Sequence, residues 1–138
     1  MAEQINALLV HVQDETRQTL EQILKSLSLE VVLARNCQEA ARLLKRPTGI
    51  DVVFTGVDLP DGNWTAVLEL AQQSKSYMPV IVASRMVDLE LYLEALGKGA
   101  FDFITPPFLT SDIAPIIRSA IYKELLSAKQ SLSAPPAA

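Results

Sequence analysis

The amino-acid sequence predicts an α/β fold, a doubly wound sheet of five parallel strands that alternate with helices. Short apolar segments alternate five times with segments whose apolar residues recur at helical spacing. The apolar segments are nearly continuous, which is typical of strands that are buried on both faces. Turn residues, such as Pro60 and Gly62, separate a strand from the helix that follows it.

Three strand–helix units are predicted in the first half of the chain. The apolar segments that predict their strands are 7–11, 29–34 and 51–55. The first helix is predicted over 15–27, because Leu20, Ile23 and Leu24 fall on one helical face. Asn36 and Glu39 have the spacing of a helix N-cap and its capping-box partner, so a second helix begins there. The third helix is predicted over 64–73.

Two further units are predicted in the second half. Their strands are the segments 79–84 and 101–105. The fourth helix is predicted over 87–96 and is stopped by Gly97 and Gly99. The last helix is predicted over 111–127. We therefore expect one domain over residues 1–127, followed by a flexible tail or linker stub over 128–138.

Composition limits the classes of function. The chain has 138 residues, 49% of them hydrophobic, which is enough for one domain with its own core. The net charge is -4 and no basic cluster occurs, so we expect no direct contact with nucleic acid. The single cysteine, Cys37, allows no intrachain disulfide, and no apolar run approaches the ~20 residues of a membrane helix. We expect a cytoplasmic protein without a membrane segment.

The candidate site lies at the carboxyl ends of the predicted strands, where open α/β sheets place their functional residues. The residues that follow the five strands are His11-Val12-Gln13, Arg35, Gly56-Val57-Asp58, Ser84-Arg85 and Thr105-Pro106-Pro107.

The chain resembles the receiver domain of bacterial two-component response regulators over roughly residues 6–127. The segment 51–62, DVVFTGVDLPDG, is similar to the family's pattern around its phosphorylated aspartate. The segment 79–84, PVIVAS, is similar to the fourth strand with its terminal Ser or Thr, and 99–108, GAFDFITPPF, to the fifth-strand signature. The resemblance implies a CheY-like, flavodoxin-like sheet with strand order 2-1-3-4-5.

The sequence departs from the family pattern at every charged position of the phosphorylation site. His11 and Val12 stand at the positions of the family's acidic pair, and Gly56 stands at the position of the phosphoacceptor aspartate. Pro106 stands at the position of the phosphate-binding lysine. Of the residues that switch the family's conformation, Ser84 and the aromatic Phe103 remain.

These departures remove the chemistry of aspartyl phosphorylation. Glycine offers no carboxylate nucleophile. Mg2+ prefers hard oxygen ligands, which His11 and Val12 do not supply. Proline carries no charge to neutralise a phosphoryl group. We therefore expect a degenerate receiver that is no enzyme, binds no cofactor or metal and acts through protein–protein interaction.

Several nearby residues have two interpretations. Asp58 and Asp61 are typical turn residues that bond their own backbone, or substitute phosphoacceptors. Asp14 and Glu15 either lie at the start of the first helix, where the helix dipole favours negative charge, or bind a metal ion from a position shifted along the chain from the family's acidic pair.

The remaining polar residues at the strand ends also have two interpretations each. His11 is either a strand-end residue bonded to backbone or a titrating or phosphate-carrying group. Arg35 and Arg85 are solvated, or bind an anion. Trp64 is expected to pack the start of the third helix. The family resemblance implies a cis bond between Pro106 and Pro107, and a tandem proline would stiffen that loop.

The expected partners are a kinase, an output domain or a second copy of the chain. In the family the fourth helix, fifth strand and fifth helix commonly form the face for a dimer or an effector. The residues of that face in this sequence are Asp88, Glu90, Tyr92, Glu94, Asp102, Arg118, Tyr122 and Lys123. Acidic groups on the fourth helix opposite basic groups on the fifth would pair across a twofold axis. Two alternatives remain: a flavodoxin-like module that binds a nucleotide or another small molecule, and a receiver phosphorylated on a substitute acceptor.

Overall fold

The computed structural model describes residues 4–45, 49–74 and 78–132. Its strands are β1 (Asn6–Val10), β2 (Glu30–Ala34), β3 (Val52–Gly56), β4 (Asp58–Leu59), β5 (Gly62–Asn63), β6 (Val80–Ala83) and β7 (Asp102–Ile104). Its helices are α1 (Glu15–Ser26), α2 (Cys37–Lys45), α3 (Trp64–Gln72), α4 (Leu89–Lys98) and α5 (Thr110–Leu132). None of these helices is long and apolar enough to cross a membrane.

The main sheet has the order β2-β1-β3-β6-β7, and all its strands are parallel. This is the predicted order 2-1-3-4-5, because β6 and β7 are the fourth and fifth strands of the sheet. The antiparallel hairpin β4–β5 lies between β3 and α3, where the sequence indicated a turn alone.

The two faces of the sheet support separate halves of the core. Leu8 and Val53 point to the side that also holds Trp64 of α3. Leu9 and Phe54, one residue further along the same strands, point to the side that holds Ile113 of α5. This alternation follows from the two-residue period of a strand. Packing on both faces explains why the strands read as continuous apolar runs.

The helix ends differ from the predicted ones in ways that have physical reasons. Helix α4 runs through Gly97 to Lys98. Its C-cap is Gly99, whose φ of 111° favours glycine. Gly97 lies inside α4, so the prediction that it stops the helix is wrong, whereas the predicted stop at Gly99 is confirmed. Helix α5 continues past the predicted boundary at residue 127 and ends at Leu132. The division between domain and tail stays a prediction, and residues 133–138 lie outside the described chain.

Candidate functional site

The carboxyl ends of three adjacent strands bring together the candidate residues. His11 directly follows β1, Gly56 is the last residue of β3, and Ser84 directly follows β6. The parallel register of β1, β3 and β6 places these ends at one edge of the sheet. The site that the sequence predicted is therefore assembled by the sheet itself.

The imidazole ring of His11 packs directly on the backbone of Gly56. An ideal Cβ on Gly56 would lie 2.7 Å from Cδ2 of His11 and 2.9 Å from its Nε2. Real Cβ atoms essentially never approach other atoms this closely. His11 is only 3% exposed, so its ring fills the space that a side chain at the end of β3 would occupy.

Polar contacts hold the His11 ring from its other edge. Its Nδ1 lies 3.1 Å from the carbonyl oxygen of Val12, which can only accept, so Nδ1 donates. The same nitrogen lies 3.4 Å from Oδ1 of Asp14. The interpretation of His11 as a buried strand-end residue bonded to backbone is confirmed.

Asp14 connects two of the loops at this edge. Its Oδ1 accepts a hydrogen bond of 3.0 Å from the backbone N–H of Arg17, so Asp14 is the N-cap of α1. Its Oδ2 pairs with the guanidinium of Arg85 in the loop after β6. The predicted position of Asp14 at the start of the first helix is confirmed. Arg85 has a carboxylate partner, and so does Arg35, which pairs with Glu39 at 2.9 Å.

Asp61 caps a helix from a distance. Its two carboxylate oxygens accept hydrogen bonds from the backbone N–H of Cys37 at 2.7 Å and of Gln38 at 3.0 Å. The pKa of this carboxyl is lowered, chiefly by the Cys37 N–H. The prediction that Asp61 bonds its own turn backbone misses this role. Asn36, the predicted N-cap of α2, accepts from the N–H of Glu39 at 2.8 Å as expected.

Ser84 and Thr55 use their hydroxyl groups locally. The Ser84 hydroxyl donates to the carbonyl of Met86 at 2.8 Å, and the hydroxyl of buried Thr55 donates to the carbonyl of Gly56 at 3.0 Å. Ser84 is thus the polar strand terminus that the sequence predicted, and it shapes the start of the loop toward α4.

The residues at the site do not fit the divalent cation that the family resemblance implies. Mg2+ takes near-octahedral oxygen ligands. At the strand ends themselves, His11 offers a nitrogen and Val12 and Gly56 offer no side-chain donor. The nearest capping carboxylate, Asp14, already holds Arg17 N–H and Arg85. No group of three or more potential ligand side chains forms within the described ranges.

The loop after β7 matches its predicted geometry. The peptide bond between Pro106 and Pro107 is cis, as the resemblance implied. Both prolines are exposed. The ring of Phe103 in β7 is buried and lies edge-on to the ring of Tyr92, with 5.9 Å between centroids. The sequence did not predict whether this ring points inward or outward, and in the structure it points inward.

A cleft of about 500 Å³ opens above the His11 ring, between the hairpin and the start of α4. Its apolar walls include Val57, Leu59, Ala83, Met86 and Leu91. Its polar lining consists of His11, Asp58, Ser84, Arg85 and Asp88. The cleft was not predicted, because its walls come from loops whose paths the sequence does not specify.

Helix α4 presents two different exposed sides. Leu89, Tyr92 and Leu93 follow helical spacing on one side, where Tyr92 contacts Phe103 of β7. Leu89 is 68% and Leu93 is 58% exposed. Glu90 and Glu94 lie on the other side, where Glu94 pairs with Lys98 at 3.0 Å. Lys98 in turn lies over the ring of Trp64, which is buried at the start of α3 as predicted.

The predicted interaction face is therefore split. Tyr92 shares its side of α4 with two exposed leucines that the sequence analysis did not select, while Glu90 and Glu94 follow helical spacing on the side of Lys98. Asp88 is the N-cap of α4 and borders the cleft. The other predicted members are half-buried Asp102 and, on α5, exposed Arg118 and Tyr122. The side chain of Lys123 lies outside the described part of α5.

A family model for the response regulator receiver domain matches residues 7–118. The chain therefore belongs to the response regulator receiver domain family of two-component systems. It is 32% identical over 115 residues to the response regulator protein PilR of Pseudomonas aeruginosa, covering 83% of this chain and 26% of that protein. It is 32% identical over 112 residues to the two-component response regulator-like protein APRR3 of Arabidopsis thaliana, covering 79% of this chain and 23% of that protein. The chain thus spans about a quarter of the length of either relative.

Solved structures agree on the fold. A receiver domain protein from Clostridium thermocellum superposes with a TM-score of 0.77 and 26% identity, over 88% of this chain and 98% of that one. CheY from Borrelia burgdorferi, in its complex with CheX, BeF3 and Mg2+, superposes with a TM-score of 0.72 and 22% identity, over 83% of this chain and 87% of that one.

Proposed function

We propose that this chain is an atypical receiver domain that signals without phosphorylation at its own strand end. The observation that carries the proposal is the packing of His11 on Gly56, 2.7 Å from the place of a Cβ. Aspartyl phosphorylation needs a carboxylate nucleophile and space for the phosphoryl group. In this chain the position has no carboxylate, and a buried imidazole fills the space.

The surrounding residues support the same proposal. Receivers place an acidic pair after the first strand and a lysine after the fifth, whereas this chain has His11, Val12 and Pro106 there. Of the two substitute acceptors, Asp61 is committed to the N–H groups that open α2. Asp58 is exposed on the hairpin, in a cleft where His11 and Val12 supply no carboxylate for a cation. The domain then acts as a noncatalytic interaction module in the cytoplasm of a bacterial two-component system.

The proposed contacts are with a kinase, an output domain or a second copy of this chain. The side of α4 that carries Leu89, Tyr92 and Leu93 is the candidate face, together with Tyr122 of α5. Exposed ion pairs contribute only about 0–1 kcal/mol each, so apolar contact has to supply the affinity. A homodimer across this face would bury those side chains against their symmetry mates.

The test is an amide NMR titration with Mg2+ followed by beryllofluoride, a mimic of the aspartyl phosphate. We expect no saturable shifts at Gly56, Ser84 and Thr105 in the natural chain. The matched control is the fourfold variant H11D, V12D, G56D and P106K, which restores the acidic pair, the acceptor and the lysine. It should show Mg2+-dependent shifts at the same amides while keeping the α/β circular dichroism spectrum.

Saturable shifts in the natural chain would contradict the proposal. The variants D58N and D61N would then show which carboxylate serves as the acceptor. Mass spectrometry after incubation with acetyl phosphate would show whether a phosphoryl group is added there.

A further inference from the structure

We propose that the cleft above His11 binds a segment of a partner protein that presents a basic side chain beside an apolar one. The inference deepens the proposed function and rests on it, because a phosphoryl group and its cation would compete for the same space. It names the chemistry of the partner at a surface separate from the Leu89–Leu93 side of α4.

The shape and walls of the cleft suit an apolar side chain. Its volume of about 500 Å³ lies within the range of ligand pockets. Val57 and Leu91 are partly buried hydrophobic residues of the core, so the cleft opens directly onto the apolar interior. Met86 forms part of the wall and is 69% exposed, and its flexible thioether side chain adapts to different neighbours. An incoming leucine or methionine would cover this surface.

The charges around the cleft favour a cation. Asp58 and Asp88 line it, and both are exposed. Neither of these two carboxylates takes part in the ion pairs found within the described ranges. Arg85, the one arginine or lysine among the described lining residues, pairs with the carboxylate of Asp14. The remaining field is negative and would attract a lysine or arginine.

The other polar groups of the lining already have partners within the chain. Nδ1 of His11 donates to the carbonyl oxygen of Val12, and the Ser84 hydroxyl donates to the carbonyl oxygen of Met86. Arg85 pairs with Asp14. The charge that a ligand would meet in the cleft is therefore that of the Asp58 and Asp88 carboxylates.

The experiment titrates the natural chain with an acetylated and amidated Leu-Arg dipeptide and follows the amide NMR spectrum. Mg2+ and beryllofluoride are left out, so the result does not depend on the phosphorylation test. We expect saturable shifts of the amides at Val57–Leu59, Ser84–Asp88 and Leu91, with weaker binding at higher ionic strength. The Leu-Gln dipeptide, which lacks the charge, should bind more weakly.

Two variants locate the charge effect. D88N keeps the helix cap, because asparagine caps as well as aspartate, and D58N changes an exposed carboxylate. Each should weaken the Leu-Arg dipeptide by about threefold to fivefold. The matched control is E30Q, the same loss of charge at the opposite edge of the sheet, which should leave the affinity unchanged.

Three outcomes would overturn the proposal. The first is equal binding of the Leu-Arg and Leu-Gln dipeptides, and the second is shifts confined to the Leu89–Leu93 side of α4. The third is cleft shifts that grow with protein concentration in the absence of peptide, which would assign the cleft to a second copy. None of these outcomes bears on the proposal that the domain signals without phosphorylation, because the separate titration with Mg2+ and beryllofluoride tests that proposal.

Discussion

The missing side chain of Gly56 makes room for an imidazole ring that comes from the neighbouring strand. The end of β3 lies against the residue that follows β1, and Cδ2 of His11 lies 2.7 Å from the place that a Cβ on Gly56 would take. Each residue therefore constrains the other. A phosphorylation site cannot be restored by changing Gly56 alone, because the new side chain would meet His11 first.

The first prediction concerns this pair. G56A should lower the free energy of unfolding by about 1–3 kcal/mol, because overpacking a buried position forces its neighbours to move. In an H11A background the same change should cost at least about 1 kcal/mol less, since the clashing ring is gone. Urea denaturation of the four proteins measures this coupling.

The control for that prediction is another glycine. A Cβ at Gly97 would meet nothing within 4 Å, so G97A should leave stability unchanged or raise it by about 0.5–1 kcal/mol. Equal stability of G56A and the natural chain would contradict the packing of His11 on Gly56.

At the scale of elements, the hairpin β4–β5 holds the start of α2. Asp61, between its two short strands, satisfies two N–H groups that a helix leaves open at its first turn. The sulfur of Cys37 lies beside the same hairpin, where a Cβ on Gly62 would be 3.0 Å away. Partial burial, then the hydrogen bond and negative charge of Asp61, raise the pKa of the Cys37 thiol to about 11.

The second prediction follows from this raised pKa. At pH 8 the thiolate fraction of Cys37 should be on the order of 0.1%, against about 10% for a thiol at the ordinary value of 9.0. The rate of alkylation by iodoacetamide should therefore keep rising between pH 9 and about 11. D61N should lower the pKa and make the rate level off earlier.

The unfolded chain is the control for that measurement. In concentrated urea, alkylation of Cys37 should level off near the ordinary thiol pKa, because burial and the Asp61 carboxylate no longer act on it. A folded chain with the same pH profile as the unfolded one would contradict the assigned environment.

Some elements follow from the sequence and others do not. The parallel sheet and its helices were predictable because buried strands and amphipathic helices have their own periods. The hairpin β4–β5 was not predictable from the sequence, because its strands have two residues each and contain the turn-forming residues Asp58 and Gly62. Its partner also lies far away in sequence, as Cys37 is 24 residues from Asp61.

The candidate site shows the same limit. The positions of His11, Gly56 and Pro106 were predictable from the family pattern, and so was the cis bond before Pro107. The packing of the His11 ring on Gly56 was not, because it depends on the rotamer and on the spacing of two strands. The exposed Leu89 and Leu93 look like core residues in the sequence, since helical spacing alone does not show which side of α4 faces the sheet.

At the scale of the whole molecule, α4 separates two surfaces of different chemistry. The cleft lies between the hairpin and the start of α4 and carries the carboxylates of Asp58 and Asp88, while the side toward β7 carries exposed apolar groups. Clusters of exposed apolar side chains on one face are typical of protein contact sites. In the proposed function, the two surfaces would let one copy of the domain contact a second copy and another protein at once.

The third prediction is that the Leu89–Leu93 side of α4 mediates self-association. The double variant L89S and L93S should shift the chain toward monomer, because apolar contact supplies the affinity there. Its free energy of unfolding should change little, since both side chains are exposed in the monomer. Sedimentation velocity over a range of protein concentrations measures the effect.

The matched control is L109S. Leu109 is exposed beyond the proline pair, so this variant should dimerise as the natural chain does. A natural chain that stays monomeric at every concentration would reject self-association and leave this side of α4 to a different protein.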